Sequence, residues 1–434
     1  MPREKLNALH AARLQKLVRY AYENSPFYRK KFDAIGLAPD DVRTVEDFKA
    51  KVPLTDKQDF LALQEEKPVY GETIAAPGDR IVQHAETSGT TGAPLAIPYT
   101  QYDTMRYGES WCSAYWATGI RPSDSFYFAF GWGSFAGFWS AYWGVRRFGG
   151  RLISGGGLTA EGHIKAILRL KPTVLVATPT FAVRLASVAR EMGVNPEETS
   201  IRYTMHAGEP GPTALPALRK SIVEAWGAEN AGELLGIAEI GAFAPCNSIG
   251  DGVHVDEMAV FSWVMNPETG KEAAEGEIGE NIITSYSNSA QPLLNYRTHD
   301  LVRPRLSCPS GRTWVKFEGA VLGRTDFMVT LRGTNVYQTA VEQVLGDIDA
   351  VSSSYELHLT HQNGREEMEV RFEPQPGVDA DESLSALVAK RLHQALKVRI
   401  GVVAVGSGSL PRYDLKTRRI FDHRPAEFRR LLDR

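Results

Sequence analysis

Cysteine is scarce. Cys112, Cys246 and Cys308 are the only three in 434 residues, too few and too scattered for a disulfide framework, so a reducing, cytoplasmic setting is expected. Excess charge is missing as well: the net charge is -3 and no long basic run occurs, so neither a nucleic-acid nor a membrane partner is expected. Met1 to Gln15 is charged and has no apolar core, which argues against a secretory leader. Internal repeats and low-complexity segments are absent. Two phosphate signatures are absent too, G-x-x-x-x-G-K-[ST] and a strand-borne G-x-G-x-x-G. Ser125 to Val145 lacks any charge for 21 residues, the length of a membrane span, but four glycines and the break at Gly131-Trp132-Gly133-Ser134 divide it. It reads as a buried strand, a loop and a helix start.

What is present is an ordinary globular composition, 43% hydrophobic and 23% charged, with length for two to three domains. The chain's centre of gravity is Thr87-Ser88-Gly89-Thr90-Thr91-Gly92-Ala93-Pro94. Glycines and small hydroxyls let backbone N–H groups turn inward together and approach a phosphate chain closely, although the same residues also build plain surface turns.

Helical spacing of Leu6, Leu9, Leu14, Leu17, Val18 and Ala21 predicts an N-terminal amphipathic helix ended by Asn24-Ser25-Pro26. Thr55 or Asp56 is a candidate helix cap. After the glycine-threonine loop come a strand at 95–99, a helix at 102–117, a strand at 126–130 and a helix from about 138 to 148. Apolar runs at 151–154, 173–177, 201–205 and 233–235, separated by helical stretches, predict a largely parallel sheet. The turns Ala207-Gly208-Glu209-Pro210 and Gly236-Ile237-Ala238-Glu239 fall just past strand carboxyl ends, where open α/β sheets gather ligands. From about Ala259 the texture becomes β-rich and barrel-like. Beyond Gly323 to Asp326 the order is strand 328–331, helix 339–345, strand 355–359, an Asn363-Gly364 hairpin, strand 368–372, helix 384–397 and strand 402–405, a compact α/β unit.

To these turns the sequence adds Tyr296-Arg297-Thr298-His299-Asp300, Gly323-Arg324-Thr325-Asp326, and Pro411-Arg412 with Lys416. In that order, beginning from Asn24-Ser25-Pro26-Phe27-Tyr28, the chain resembles the adenylate-forming (acyl-CoA synthetase and luciferase) superfamily, most closely its phenylacetate-CoA ligase branch. The resemblance implies an α/β fold: a large multi-subdomain N-terminal adenylate-forming domain over 1–322, a hinge over 323–327 and a small mobile C-terminal domain over 328–434. It also implies ATP-dependent adenylation of a small aromatic acid, with Mg²⁺, followed by transfer to coenzyme A.

On that resemblance Thr87, Ser88, Gly89, Thr90, Thr91 and Gly92 wrap the β and γ phosphates, and Glu239 holds Mg²⁺. Gly208, Glu209 and Pro210 pack on the adenosine, and Asp300 accepts from the ribose hydroxyls. Arg324 reaches a ribose or phosphate oxygen, Asp326 is the hinge, and Lys416 bridges the reacting carboxylate and the α-phosphate. The segment near Gly333 lines the thiol's approach once Lys416 has withdrawn. Phe130, Trp132 and Phe135, with Gly208 and Gly236 beneath, form a flat slot for the acyl ring.

Three departures from the family pattern touch the nucleotide: Ala93 replaces a lysine, Leu235 an adenine-stacking tyrosine, and Ala238 a hydroxyl before the metal-binding glutamate. Arg297 and His206 are candidate replacements. Cys246, His254 and Cys308 match a family zinc site whose last ligand is Ser310 here; three soft ligands fall one short of a structural site, so free buried thiols are favoured over zinc. Two further readings stay open: an adenylating enzyme with an amine, carrier-protein or nitrite chemistry, and a binding protein without catalysis. A homodimer is left open.

Overall fold

The structure is a computed structural model and describes residues 1–87, 94–306, 308–309, 311–325, 329–331, 334–336, 338–362, 365–411 and 419–424. The amphipathic start forms α1 (Arg3–Asn24), which buries Leu6, Leu14, Val18 and Ala21, and α2 (Pro26–Asp33) begins on the predicted proline. Then α3 (Val45–Lys51) and α4 (Lys57–Glu66) follow. The Asp56 side chain accepts from the Gln58 N–H at 3.1 Å, which makes it the N-cap of α4.

The antiparallel hairpin β1 (Ile81–Glu86) and β2 (Ala96–Thr100) flanks the glycine-threonine loop. One helix was expected next, but the structure has two, α5 (Gln101–Tyr107) and α6 (Glu109–Thr118). The division lies at Gly108, where a Cβ would stand 2.6 Å from the Trp143 carbonyl oxygen. A tertiary approach sets that break, not helix propensity.

The central layer alternates β3 (Ser125–Phe128), α7 (Ala136–Phe148), β4 (Arg151–Ser154), α8 (Ala160–Leu170), β5 (Val174–Val176), α9 (Pro179–Glu191), β6 (Tyr203–His206), α10 (Pro216–Trp226), β7 (Asn230–Ile237) and β8 (Gly241–Pro245). Among the described residues these strands make a six-stranded sheet in the order β4-β3-β5-β6-β7-β8, parallel except for the antiparallel last pair. Phe126, Tyr127 and Phe128 are all buried, as strands covered on both faces require. The connection leaving β3 runs to β4 on one side and the connection leaving β5 runs to β6 on the other, so a crevice opens at the carboxyl ends of β3 and β5.

Helices α6 and α7 pack at a second close approach, where a Cβ on Gly144 would lie 2.5 Å from Cβ of Trp111. Gly144→Ala is therefore expected to cost about 1–3 kcal/mol of stability through overpacking. A lower urea midpoint at unchanged slope is the readout; no shift would refute the packing argument.

The β-rich region comprises β9 (Gly252–His254), β10 (Val260–Met265), β11 (Gly279–Ser285), β12 (Tyr296–Val302), β13 (Pro304–Arg305), β14 (Lys316–Glu318) and β15 (Gly323–Arg324). Strands β10-β11-β12-β15 form one antiparallel sheet, and β13-β14-β9 another. The last region holds β16 (Val329–Leu331), β17 (Thr334–Val336), α11 (Gln338–Gly346), β18 (Val351–Gln362), β19 (Arg365–Pro374), α12 (Glu382–Leu396), β20 (Gly401–Ala404) and β21 (Ile420–Asp422). Strands β18 and β19 are twice the expected length, and their register closes at Gln362 opposite Arg365. This region has its own core, Leu331 to Ile400, with Val341, Leu357, Val370, Phe372 and Val388 buried together. No helix among the described residues is long and apolar enough to cross a membrane.

Candidate active site

The turn after β6 carries Gly208 at φ +89°, a conformation that L side chains rarely adopt. Next to it, the Glu209 carboxylate accepts from the Thr180 hydroxyl at 2.7 Å and the Thr180 N–H at 3.3 Å. It thereby caps α9 and holds its turn against the crevice. The chain just beyond is gripped from below. Buried Glu233 accepts from both the N–H and the hydroxyl of Thr213, and burial pushes its pKa up.

After β7 comes Glu239, only 7% exposed. Its Oε1 accepts from the Tyr296 hydroxyl at 3.0 Å, while its carbonyl oxygen accepts from Tyr107 Oη at 3.0 Å and Asn288 Nδ2 at 2.8 Å. Its other carboxylate oxygen accepts no hydrogen bond among the described residues, so a carboxylate oxygen remains for a hard cation.

Thr87 ends the β1 side of the glycine-threonine hairpin. Its hydroxyl accepts from the Leu95 N–H at 2.9 Å, and its own N–H donates to the Leu95 carbonyl at 3.0 Å, pinching the loop at its base. Ser88, Gly89, Thr90, Thr91, Gly92 and Ala93 lie outside the described residues. Two contacts fix the direction of the stem: Glu86 N–H donates to Ser134 O at 2.8 Å, and Tyr99 Oη approaches Ala238 O at 3.4 Å. The hairpin is thus moored to both the loop after β3 and the turn that bears Glu239.

On β12, the backbone bulges between Arg297 and Leu301, with His299 at φ +61°. The bulge turns Asp300, 5% exposed, toward β15, where Arg324 Nη1 donates to its Oδ1 at 2.9 Å. His299 is held by Asp56 at 2.9 Å and by Thr325 Oγ1 at 3.0 Å. Nothing in the chain's order reveals these two contacts, so the sequence assigns this histidine no role of its own.

The two candidate replacements for the missing lysine are otherwise engaged, and that expectation is corrected. His206 is fully buried with both ring nitrogens within bonding distance of Ala177 O and Thr204 Oγ1, and burial lowers its pKa to about 4, so it carries no charge at neutral pH. Arg297 makes a two-point pair with buried Glu280, at 3.1 and 2.7 Å. Leu235 and Ala238 pack against the apolar core.

The expected acyl slot is a larger aromatic wall than the sequence suggested. Phe130 stacks on Phe138 at 4.3 Å between centroids, Phe135 meets Phe138 edge-on, and Trp132 packs against Phe128, Trp139 and Tyr142. The stretch carries its aromatics at helical spacing, which reads as core and conceals Phe138. Gly131 and Gly156 approach so closely that a Cβ on Gly156 would stand 2.8 Å from Cα of Gly131. Gly236 owes its identity to β8, because a Cβ there would meet Gly241 O at 2.6 Å.

Of the metal-like trio, Cys308 Sγ and His254 Nε2 meet at 3.3 Å, with Asn247 beside them. Cys246 instead contacts Thr118 Oγ1 at 3.6 Å within the core. Among the described residues no group of three such ligands exists, and the residues present do not fit a zinc ion.

The C-terminal region approaches α10 through α11, where a Cβ on Gly346 would stand 3.9 Å from Cβ of Ala217. There Glu342 is pushed up to about 7, chiefly by burial; Arg419 opposes this and Glu209 adds to it. Asp326, Gly333, Arg412 and Lys416 lie outside the described residues.

Two family models match the chain: the AMP-binding enzyme over residues 34–290 and the AMP-binding enzyme C-terminal domain over residues 333–424. The phenylacetate-coenzyme A ligase of Thermus thermophilus is 33% identical, covering 98% of both chains. That of Escherichia coli is 31% identical over 97% of this chain and 95% of its own. A solved 2-hydroxyisobutyryl-CoA ligase in the postadenylation state, in complex with R3-HIB-AMP, is 26% identical and superposes with a TM-score of 0.90, covering 100% of this chain and 92% of that one. With 2-HIB-AMP and CoA in the thioesterification state, the same enzyme superposes at 0.73, 28% identical over the same coverage.

Proposed function

Because the chain belongs to the family of AMP-binding enzymes, we propose that it joins a small aromatic carboxylic acid to coenzyme A through an acyl-adenylate, consuming ATP. It is an AMP-forming acid–coenzyme A ligase. A carboxylate oxygen of the acid attacks the α-phosphorus of ATP, the bond to the β-phosphate oxygen breaks and pyrophosphate leaves. The thiolate of coenzyme A then attacks the acyl carbon, and AMP departs.

The observation that carries this reading is the 3.0 Å bond from Tyr296 to Glu239, which ties the carboxyl end of β7 to the strand that bears Asp300 four residues later. Asp300 accepts from the ribose, the turn at Gly208 to Pro210 covers the adenosine, and the loop from Thr87 to Gly92 surrounds the phosphates. Glu239 holds Mg²⁺, which when bound offsets phosphate charge. Lys416 faces the α-phosphate during adenylation.

Residues 323–327 act as the hinge between the domains at 1–322 and 328–434. The separate core of the small domain supports this reading, as do the unequal superpositions on two states of one relative. The flat wall around Phe130, Trp132 and Phe138 favours an aryl acid over a small aliphatic one.

Acid-dependent pyrophosphate release, measured with and without coenzyme A over phenylacetate, benzoate, 4-hydroxybenzoate and 2-hydroxyisobutyrate, tests this. An aryl acid is expected to exceed 2-hydroxyisobutyrate in kcat/KM by roughly 10-fold or more, with a thioester as product. Preference for 2-hydroxyisobutyrate removes the aromatic assignment. Pyrophosphate without thioester moves the acceptor elsewhere.

A further inference from the structure

The phenol of Tyr296 is buried, 3% exposed, and its hydroxyl ends on one oxygen of Glu239. Its position is set by backbone on both sides. Tyr296 pairs with Ile283 of β11, and the flanking residues bond to Thr55, whose N–H donates to Asn295 O and whose carbonyl accepts from Arg297 N–H, each at 2.9 Å. The ring lies against Phe60. A side chain so enclosed has one direction in which to point its hydroxyl.

Enclosed in this way, the phenol donates its hydrogen bond to Glu239 Oε1 at 3.0 Å. Glu239 is thus fixed at two levels. Tyr107 and Asn288 hold its carbonyl, and Tyr296 holds its carboxylate.

We propose that Tyr296 is the positioning residue for the metal-binding carboxylate: by occupying Oε1 it orients Glu239 so that the other oxygen faces the nucleotide's phosphates. The inference rests on the reading of Glu239 as the Mg²⁺ ligand. A carboxylate on a freely rotating side chain would give up rotamer freedom each time the metal binds. Held by a rigid donor, it has given up that freedom already.

The test uses the full-length enzyme with Mn²⁺ as the probe. Binding of Mn²⁺ in the presence of a non-hydrolysable ATP analogue is followed by electron paramagnetic resonance in wild type, Tyr296→Phe, Tyr107→Phe and Glu239→Gln. Tyr296→Phe keeps the ring and its packing on Phe60, and is expected to weaken Mn²⁺ binding by about 10-fold. It should raise the Mg²⁺ concentration needed for half-maximal pyrophosphate release by a similar factor, while metal-free AMP binding is unchanged. Tyr107→Phe removes a buried hydroxyl that donates to the main-chain carbonyl of Glu239 and not to its carboxylate, and should shift the Mn²⁺ affinity far less.

Equal shifts in the two tyrosine variants, or a lower melting temperature with unaltered Mn²⁺ binding in Tyr296→Phe, would overturn the positioning role. Unaltered Mn²⁺ binding in Glu239→Gln would instead overturn the assignment of Glu239 as ligand, so the two failures are separate.

Discussion

Replacing Lys416 by alanine lowers acid-dependent pyrophosphate release by about 10²- to 10³-fold, the loss that follows removal of one preorganised charge at a developing anion. Adenylation brings a carboxylate onto a phosphate, and repulsion between anions dominates its barrier. Among the described residues, the two candidate replacements for the missing charge are unavailable for that task. Ala93 stands where relatives by resemblance carry a lysine, His206 is neutral within the sheet, and Arg297 is committed to Glu280. On the proposed reading, Lys416 is expected to carry more of the burden than in a relative with the lysine at the loop. Coenzyme A attack on an acyl-adenylate supplied ready-made needs no such charge at the α-phosphate. That half-reaction should stay within a fewfold of wild type. The discriminating measurement compares both half-reactions in Lys416→Ala by pyrophosphate release and by thioester formation from the synthetic adenylate. Unchanged pyrophosphate release would remove Lys416 from the mechanism, and equal loss of both steps would assign it to general binding.

The parallel sheet was legible because strands buried on both faces must be written in uninterrupted apolar residues, as Phe126 to Phe128 and Val174 to Val176 are. The turns after them were legible for a related reason, since glycine at φ +89° in Gly208 has few substitutes. What escaped depends on neighbours distant in sequence. The interruption at Gly108 arises from a carbonyl 35 positions away, and the direction of Cys246 is set by Thr118. Tyr296 opens a motif that the sequence marks, yet its hydroxyl acquires meaning only when Glu239, 57 positions earlier, arrives beside it. Glu342, which the sequence does not single out, is buried on α11 and pushed up to about 7, chiefly by that burial. Periodicity reveals which face is buried. It does not reveal which polar groups meet there.

The second large effect concerns the ribose. Asp300 is buried, lies across the sheet from Arg324 and already accepts one hydrogen bond from it on Oδ1. The guanidinium fixes the plane of the carboxylate, and a charged acceptor makes stronger hydrogen bonds to hydroxyls than a neutral one. Losing bonds to both ribose hydroxyls is expected to lower kcat/KM for ATP by about 10²- to 10⁴-fold in Asp300→Ala, since each charge-assisted bond contributes roughly 1.5–3 kcal/mol. Asp300→Asn retains an acceptor without the charge and should fall between. General damage to the fold could also lower activity, so the decisive measurement is relative. Wild type should discriminate against 2′-deoxy-ATP, whereas Asp300→Ala, having no carboxylate to miss the hydroxyl, should treat the two nucleotides nearly alike. Undiminished discrimination in the variant would mean that the ribose is held by other groups, and that the pairing of Asp300 with Arg324 serves only to join β12 to β15.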